Sequence, residues 1–208
     1  MTDDQRAWRP TPDDLLSTLR HANASFVTPY LAIGGDLDTI RHDVGVGQLD
    51  ELSGAGITHI VDVRVEWSDE EWVRERAAGV EYLHLGIDDD GQRVPRAWFD
   101  TGVDFAVEAI DSGGVVLAHC HMGINRGPSM GLAILLRLGW NAAEALDAIH
   151  AARPIAFVAY AEDALWWHHG KRSPELEADL RSLDQWRRET DLDLQSVIRK
   201  VRSQEGGY

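Results

Sequence analysis

Short apolar runs alternate with amphipathic stretches along most of this chain. The runs at residues 30–33, 58–63, 81–85 and 115–119 carry Val, Ile and Leu at the length of buried strands. Apolar positions three and four apart predict helices near residues 47–55, 70–78, 96–111, 128–138, 142–152 and 161–168. Strands interleaved with helices predict an α/β fold: a single domain with a central, mainly parallel sheet of four to five strands flanked by helices. Towards the N-terminus, residues 13–23 read as a short helix, with Pro12 and Asp13 at its start. Towards the C-terminus, Ser173-Pro174-Glu175 combines a capping serine, a first-turn proline and an acid near the positive end of the helix dipole. Leu176, Leu180 and Leu183 follow on one face, and Leu194, Val197, Ile198 and Val201 form a second stripe after a break at Thr190-Asp191. The pattern divides the chain into an N-terminal extension over 1–27, an α/β unit over 28–170 and a C-terminal helical extension over 171–208.

Ligands of such sheets sit at the carboxyl ends of the strands. The segment after the run at 115–119 is therefore the first place to look for chemistry. It reads HCHMGINRGPS over residues 119–129 and holds the one cysteine of the 208 residues, with an arginine six positions later. A strand, a tight turn with Gly123 and a helix start can aim successive backbone N–H groups and the helix dipole at one anion. A free thiol has a pKa of about 8.5, and such surroundings lower it enough to make thiolate abundant at neutral pH. Cys120 is thus a candidate nucleophile. Arg126 carries a planar fork of donors that suits two phosphoryl oxygens at once.

These residues, in this context, resemble the phosphate-binding loop of the dual-specificity-type protein tyrosine phosphatases, a branch of the cysteine-dependent phosphatases. The likeness runs from about Tyr30 to His169: YLAIGG, VGQLDELSGAGITHIVDVR, VEYLHLGIDDD, RAWFDTGVDFAVEAIDSGG, the loop, and AAEALDAIHAARPIAF follow the family's order. The resemblance implies that residues 28–170 are a catalytic domain. Cys120 is then the nucleophile, Arg126 the transition-state clamp, and His121, Met122, Gly123, Ile124 and Asn125 the phosphate cradle. The family keeps an aspartate on a loop about thirty residues before the cysteine, where it protonates the leaving oxygen. Counting from Tyr82 and back from Trp98-Phe99 places it on Asp89, between Asp88 and Asp90. His119 is expected to orient the loop through hydrogen bonds. Arg64, Glu66 and Trp67 follow the second predicted strand and are expected at the pocket rim.

Two positions depart from the family pattern. Gly127 stands where most relatives carry Ser or Thr, whose hydroxyl helps the cysteine leave, and Ser129 is the nearest hydroxyl. RPIAFVAYAEDALWW replaces the common Pro-Asn segment after Arg153-Pro154.

Charge narrows the substrate class. The net charge is −15, and residues 30–172 hold 23 acids against 11 Lys or Arg. Nucleic-acid binders show the opposite sign. The phosphate loop has no lysine for extra phosphates, which disfavours polyphosphorylated inositol lipids. The reading is a phosphatase for phosphorylated proteins or peptides, using no cofactor and no metal, with no nucleic-acid or membrane partner. Phosphotyrosine is the first substrate class, and phosphoserine and phosphothreonine the second. A phosphate-binding module without turnover, or the same chemistry on RNA 5′-phosphate, sugar phosphate or glucan phosphate, stays open. Residues 173–202 offer a partner or dimer contact, with packing onto the same core as the alternative. A lone cysteine and the lack of an apolar stretch near about 18 residues suit the cytoplasm. Lysine occurs only at Lys171 and Lys200, a composition that suggests a GC-rich bacterial genome.

Gly127 carries the first testable expectation. Without the family hydroxyl, hydrolysis of the cysteinyl-phosphate is slow compared with its formation, so rapid mixing with an aryl phosphate should show a burst of leaving group equal to the enzyme concentration. A linear time course from the first turnover would refute it.

Overall fold

Strand β5 (Val116–His119) is buried along its whole length, as expected of a strand covered on both faces. The computed structural model describes Leu19 and residues 21–190, and it places β5 at the centre of a five-stranded sheet. Its neighbours are β2 (Leu31–Gly34) and β3 (His59–Arg64), both parallel to it. Outside them lie β1 (Ala24–Thr28), antiparallel to β2, and β4 (Glu81–Ile87), parallel to β3. The order is β1-β2-β5-β3-β4.

Strand alternation divides the core between two faces. Ala32, Ile60 and Leu117 pack against Leu49 and Leu52 of α1 (His42–Gly54) and Val73 of α2 (Glu70–Arg76). Ile33, Val61, Val63, Val116 and Ala118 join the larger cluster. That cluster takes in α3 (Arg96–Asp111), α4 (Arg126–Arg137), α5 (Ala142–Ala152) and α6 (Ala161–His169). Helix α4 is buried from Arg126 through Leu136, so the helix that begins at the phosphate loop is also the centre of its layer. The predicted α/β fold is observed, with the sheet at five strands.

Three element boundaries differ from the sequence pattern. β1 was not predicted: it is a five-residue outer strand joined to β2 across Pro29-Tyr30, and Ser25 and Thr28 blur its apolar signal. α1 starts at His42, earlier than its apolar spacing shows, because Gly45 and Gly47 weaken the pattern. Gly45 lies directly against the Asp38 carbonyl, where a Cβ has no room. α4 starts at Arg126, ahead of Pro128, since a first-turn N–H has no helical partner to lose. In the predicted helix at 13–23, residues 21–23 form a bend and most of the remainder lies outside the described residues.

The C-terminal helix α7 (Pro174–Thr190) has its Ser173 Oγ accepting from Leu176 N–H at 3.2 Å. Leu176, Leu183 and Trp186 are buried in the larger core cluster. Trp186 lies edge-on to His150 of α5, and His169 of α6 bonds Asp179 at 2.8 Å. The first apolar stripe is thus turned inward, not offered to a partner; the second, at 194–201, lies outside the described residues. Among the described residues, no helix is long and apolar enough to cross a membrane.

Because Leu183 is 1% exposed, Leu183→Ala should destabilise the protein by about 2–5 kcal/mol, the range of buried Leu truncations. Urea unfolding followed by tryptophan fluorescence measures it; a change within about 0.5 kcal/mol, typical of surface sites, would mean that α7 is not part of the cooperative core.

Candidate active site

Residues 120–125 connect β5 to α4, and four successive carbonyls of this loop are bonded outward. Asp36 N–H donates to the His121 carbonyl at 2.9 Å. Arg153 donates from Nη2 to Met122 at 2.9 Å and from Nε to Gly123 at 2.7 Å. Phe157 and Val158 N–H donate to Ile124 at 2.9 and 3.1 Å. A trans peptide sets its N–H opposite its C=O, so the N–H groups of residues 122–125 face the concavity. Gly123 has φ 64°, the left-handed region that glycine enters freely, and the Arg153 guanidinium fills the space a Cβ would need. Arg153 is buried, which pushes its pKa down to about 10 against the pull of nearby Cys120. Cys120 is itself buried at 2% exposure, just ahead of α4.

Arg126, the first residue of α4, is clamped from the far side. Its Nη1 and Nη2 donate to Glu66 Oε2 and Oε1 at 2.9 and 2.7 Å, and Nη1 also donates to the Ile87 carbonyl at 2.9 Å. Its Nε has no hydrogen-bond partner among the described residues, and Asp89 Oδ2 lies 3.7 Å from it. Burial opposes the charge on Arg126, but Glu66, Cys120 and Asp89 outweigh it and hold the pKa above the ordinary value. The hydrogen bonds from Arg126 hold Glu66 below the usual carboxylate range. Glu66, expected at the rim, is in fact the residue that aims the arginine.

Of the three consecutive acids, Asp89 is the one whose carboxylate meets the loop. Asn125 Nδ2 donates to Asp89 Oδ1 and Oδ2 at 3.3 and 3.1 Å, and the Tyr160 hydroxyl donates to Oδ1 at 2.9 Å. Asp90 instead accepts from Gln92 N–H. Tyr160 was not among the candidates from sequence. It lies 71 residues from Asp89 in the chain, and no local pattern marks it. Val158 just before it has φ 54°, a strained conformation for a β-branched residue.

A buried charge cluster supports the loop from the sheet side. Arg64 has 0% exposure and bonds three aspartates: Asp62 from Nε and Nη2 at 2.8 and 2.9 Å, Asp36 at 2.7 Å and Asp69 at 2.5 Å. Tyr82 donates to Asp62 at 2.6 Å. Burial works against ionisation of Asp62, but Arg64 overcomes it and keeps the pKa low. Asp36 also bonds His121 Nδ1 of the phosphate loop. Arg64 is therefore not a rim residue, because no exposed site could satisfy so many carboxylates. Trp67 does lie at the rim, 42% exposed and edge-on to His121 with 5.6 Å between ring centroids.

Two further residues of the motif are buried beside the loop. His119 is fully buried, and neither ring nitrogen makes a hydrogen bond among the described residues. The nearest carboxylate oxygen in an ion-pair contact with it, Asp62 Oδ1, is 3.7 Å away, so His119 packs beside the buried charge cluster. Ser129 Oγ donates to the Asn125 carbonyl at 2.7 Å and accepts from Tyr160 N–H at 3.1 Å. Its one proton is thereby directed away from Cys120. At Gly127, an added Cβ would lie 3.2 Å from Cys120 N, a tight approach that asks the backbone to give by a few tenths of an ångström.

The sequence model described as "Dual specificity phosphatase, catalytic domain" matches residues 43–160, more than half of the chain. The chain belongs to this family. The rat "Dual specificity protein phosphatase 15" is 32% identical over 110 residues, covering 51% of this chain and 43% of that protein. "Dual specificity protein phosphatase 1B" of Arabidopsis thaliana is 27% identical over 134 residues, 60% of this chain and 75% of that protein. The chain spans less than half the length of the first of these. Human DUSP28 shares the fold with a TM-score of 0.60 at 22% identity, over 71% of this chain and 94% of that one. PTPMT1 in complex with PI(5)P has a TM-score of 0.58 at 22% identity, over 75% and 97%.

His119 sets a pH dependence of stability. Burial pushes its pKa down to about 4 from an ordinary 6.5, so between these values the unfolded chain takes up a proton that the folded protein refuses. Stability then falls as pH drops from 6.5 towards 4, by about 3 kcal/mol at 1.36 kcal/mol per unit. Urea unfolding across this window should show the slope in wild type and a shallower one in His119→Phe; equal slopes would place the proton uptake elsewhere.

Proposed function

We propose that this protein is a metal-independent phosphomonoesterase that transfers phosphate through a cysteinyl-phosphate intermediate, with phosphotyrosine in proteins or peptides as its first substrate class. The observation that carries the reading is the meeting of three groups. Cys120 lies under a nest of inward N–H groups, Arg126 presents an Nε without a hydrogen bond among the described residues, and Asp89 lies 3.7 Å from that nitrogen. In the first step the Cys120 thiolate forms the S–P bond as the P–O bond breaks, and Asp89 gives its proton to the leaving oxygen. Arg126 and the loop N–H groups stabilise the charge on the equatorial oxygens. In the second step Asp89 takes a proton from water, water attacks phosphorus, and Cys120 leaves.

Several features support the substrate class. Trp67 offers an aromatic wall beside His121, which suits an aryl leaving group. Asp88 and Asp90 flank Asp89 in a chain of net charge −15, a field that favours phosphorylated side chains with neutral or basic flanks over long polyanions. A phosphoinositide, as bound by PTPMT1, fits this chain less well because residues 120–126 carry no lysine. Phosphoserine and phosphothreonine form the second substrate class. The catalytic unit is residues 28–170, and a reducing, cytoplasmic setting preserves its thiolate.

Phenyl phosphate turnover, with chelator present, tests the reading. We expect Cys120→Ser to abolish it and Asp89→Asn to lower kcat/KM by about 100-fold or more, the scale of general acid catalysis. Binding of a phosphotyrosine peptide by reduced wild-type protein without turnover would replace the phosphatase with a phosphate-binding module.

A further inference from the structure

We infer that Tyr160 is a positioning residue that holds Asp89 at the leaving-group side of the phosphate loop, so that proton donation depends on its hydroxyl. The inference rests on the phosphatase reading above and goes beyond it, since nothing in the reaction itself requires a tyrosine at this place.

The geometry is a closed ring of hydrogen bonds. The Asn125 carbonyl accepts from Ser129 Oγ at 2.7 Å, and Ser129 Oγ accepts from Tyr160 N–H at 3.1 Å. The Tyr160 hydroxyl donates to Asp89 Oδ1 at 2.9 Å, and the Asp89 carboxylate accepts from Asn125 Nδ2 at 3.1 Å. The ring starts and ends on Asn125, the last residue of the phosphate loop. Asp89 is therefore fixed relative to the nest by side chains from α4 and from the entry to α6, and not by its own exposed loop alone. The same hydroxyl accepts from Gly91 N–H at 3.3 Å, which ties down the backbone two residues beyond the acid. Farther along, Asp163 of α6 accepts from Arg93 Nη1 at 2.6 Å and from Val94 N–H at 3.3 Å. The acid loop is thus docked on the start of α6 at two points, and Tyr160 is the one that reaches the carboxylate.

Burial keeps the tyrosine in this role. Tyr160 is 3% exposed, and desolvation, with the Asp89 charge beside it, pushes its pKa up to about 12. The hydroxyl stays protonated at neutral pH and acts as a donor. The left-handed backbone of Val158 turns the chain into α6 at the point from which Tyr160 reaches both Ser129 and Asp89.

Proton donation matters in proportion to how poor the leaving group is, which separates a positioning role from a structural one. Phenyl phosphate releases a phenol with a pKa of about 10, like tyrosine itself, whereas 2,4-dinitrophenyl phosphate releases an anion that needs no proton. The quantity to compare is kcat/KM, which reports phosphoryl transfer to Cys120 whatever the rate of the second step. Tyr160→Phe should lower it about tenfold for phenyl phosphate and less than about twofold for the dinitrophenyl ester, within the 100-fold or larger range of general acid catalysis. The dinitrophenyl rate doubles as a control for folding. In an Asp89→Asn background, Tyr160→Phe should have no further effect on phenyl phosphate. Equal loss on both substrates, or a full additional loss in the double variant, would overturn the inference while leaving the phosphatase reading intact. Absence of Cys120-dependent turnover of either ester in wild type would overturn both.

Discussion

The site depends on keeping the peptide groups of residues 121–124 turned with oxygen out and nitrogen in. Adjacent peptide dipoles pointing the same way repel, and a buried carbonyl without a donor costs about 1–3 kcal/mol. The conformation therefore survives only because each carbonyl has a dedicated donor: Asp36 N–H, two nitrogens of Arg153, and the N–H groups of Phe157 and Val158. Arg153 contributes most, because its buried guanidinium also brings a positive charge behind Cys120. The nest and the left-handed turn at Gly123 both follow from that one packing arrangement.

On the opposite side, the loop is joined to the sheet by charge. Arg64 gathers Asp36, Asp62 and Asp69 around one buried guanidinium, and Asp36 continues to His121. A buried cation among carboxylates stabilises little on balance, since desolvation consumes most of the attraction, yet removing one partner leaves an uncompensated charge at a cost of about 3–5 kcal/mol. Such a cluster is better at enforcing one arrangement than at adding stability. It sets the register between β2, β3 and the loop, while the apolar layers on either side of the sheet supply the driving force. His119 lies buried beside this cluster, 3.7 Å from Asp62 Oδ1.

The acid and the arginine are aimed in the same manner, by residues from distant parts of the chain. Glu66 sits across from Arg126 and leaves Nε to the concavity, and Tyr160 with Asn125 does the corresponding work for Asp89. Three segments thus meet at the loop: the turn after β3, the Asp89 segment after β4 and the entry to α6. Each brings a group whose orientation is set by a bond to another segment, the kind of preorganisation on which electrostatic catalysis depends.

What the chain determined by itself is what local periodicity and motif carry. The buried run before Cys120, the helix after Arg126 and the interleaving of strands with helices specify an α/β sheet with an anion loop at its centre, because strand and helix periods are properties of neighbouring residues. Counting to Asp89, whose carboxylate meets the loop, uses the same locality, since its distance from Tyr82 and Trp98 is a matter of chain length. What only the tertiary structure decided is which polar groups meet across that frame. Arg64 reads as a rim residue until three aspartates surround it, and Tyr160 carries no signal at all. Arg64 meets Asp62 and Asp69 close by in the chain but Asp36 across 28 residues, and Tyr160 meets Asp89 across 71. Hydrogen bonds and ion pairs act over a few ångströms in space and are indifferent to separation in sequence, so no local pattern records them.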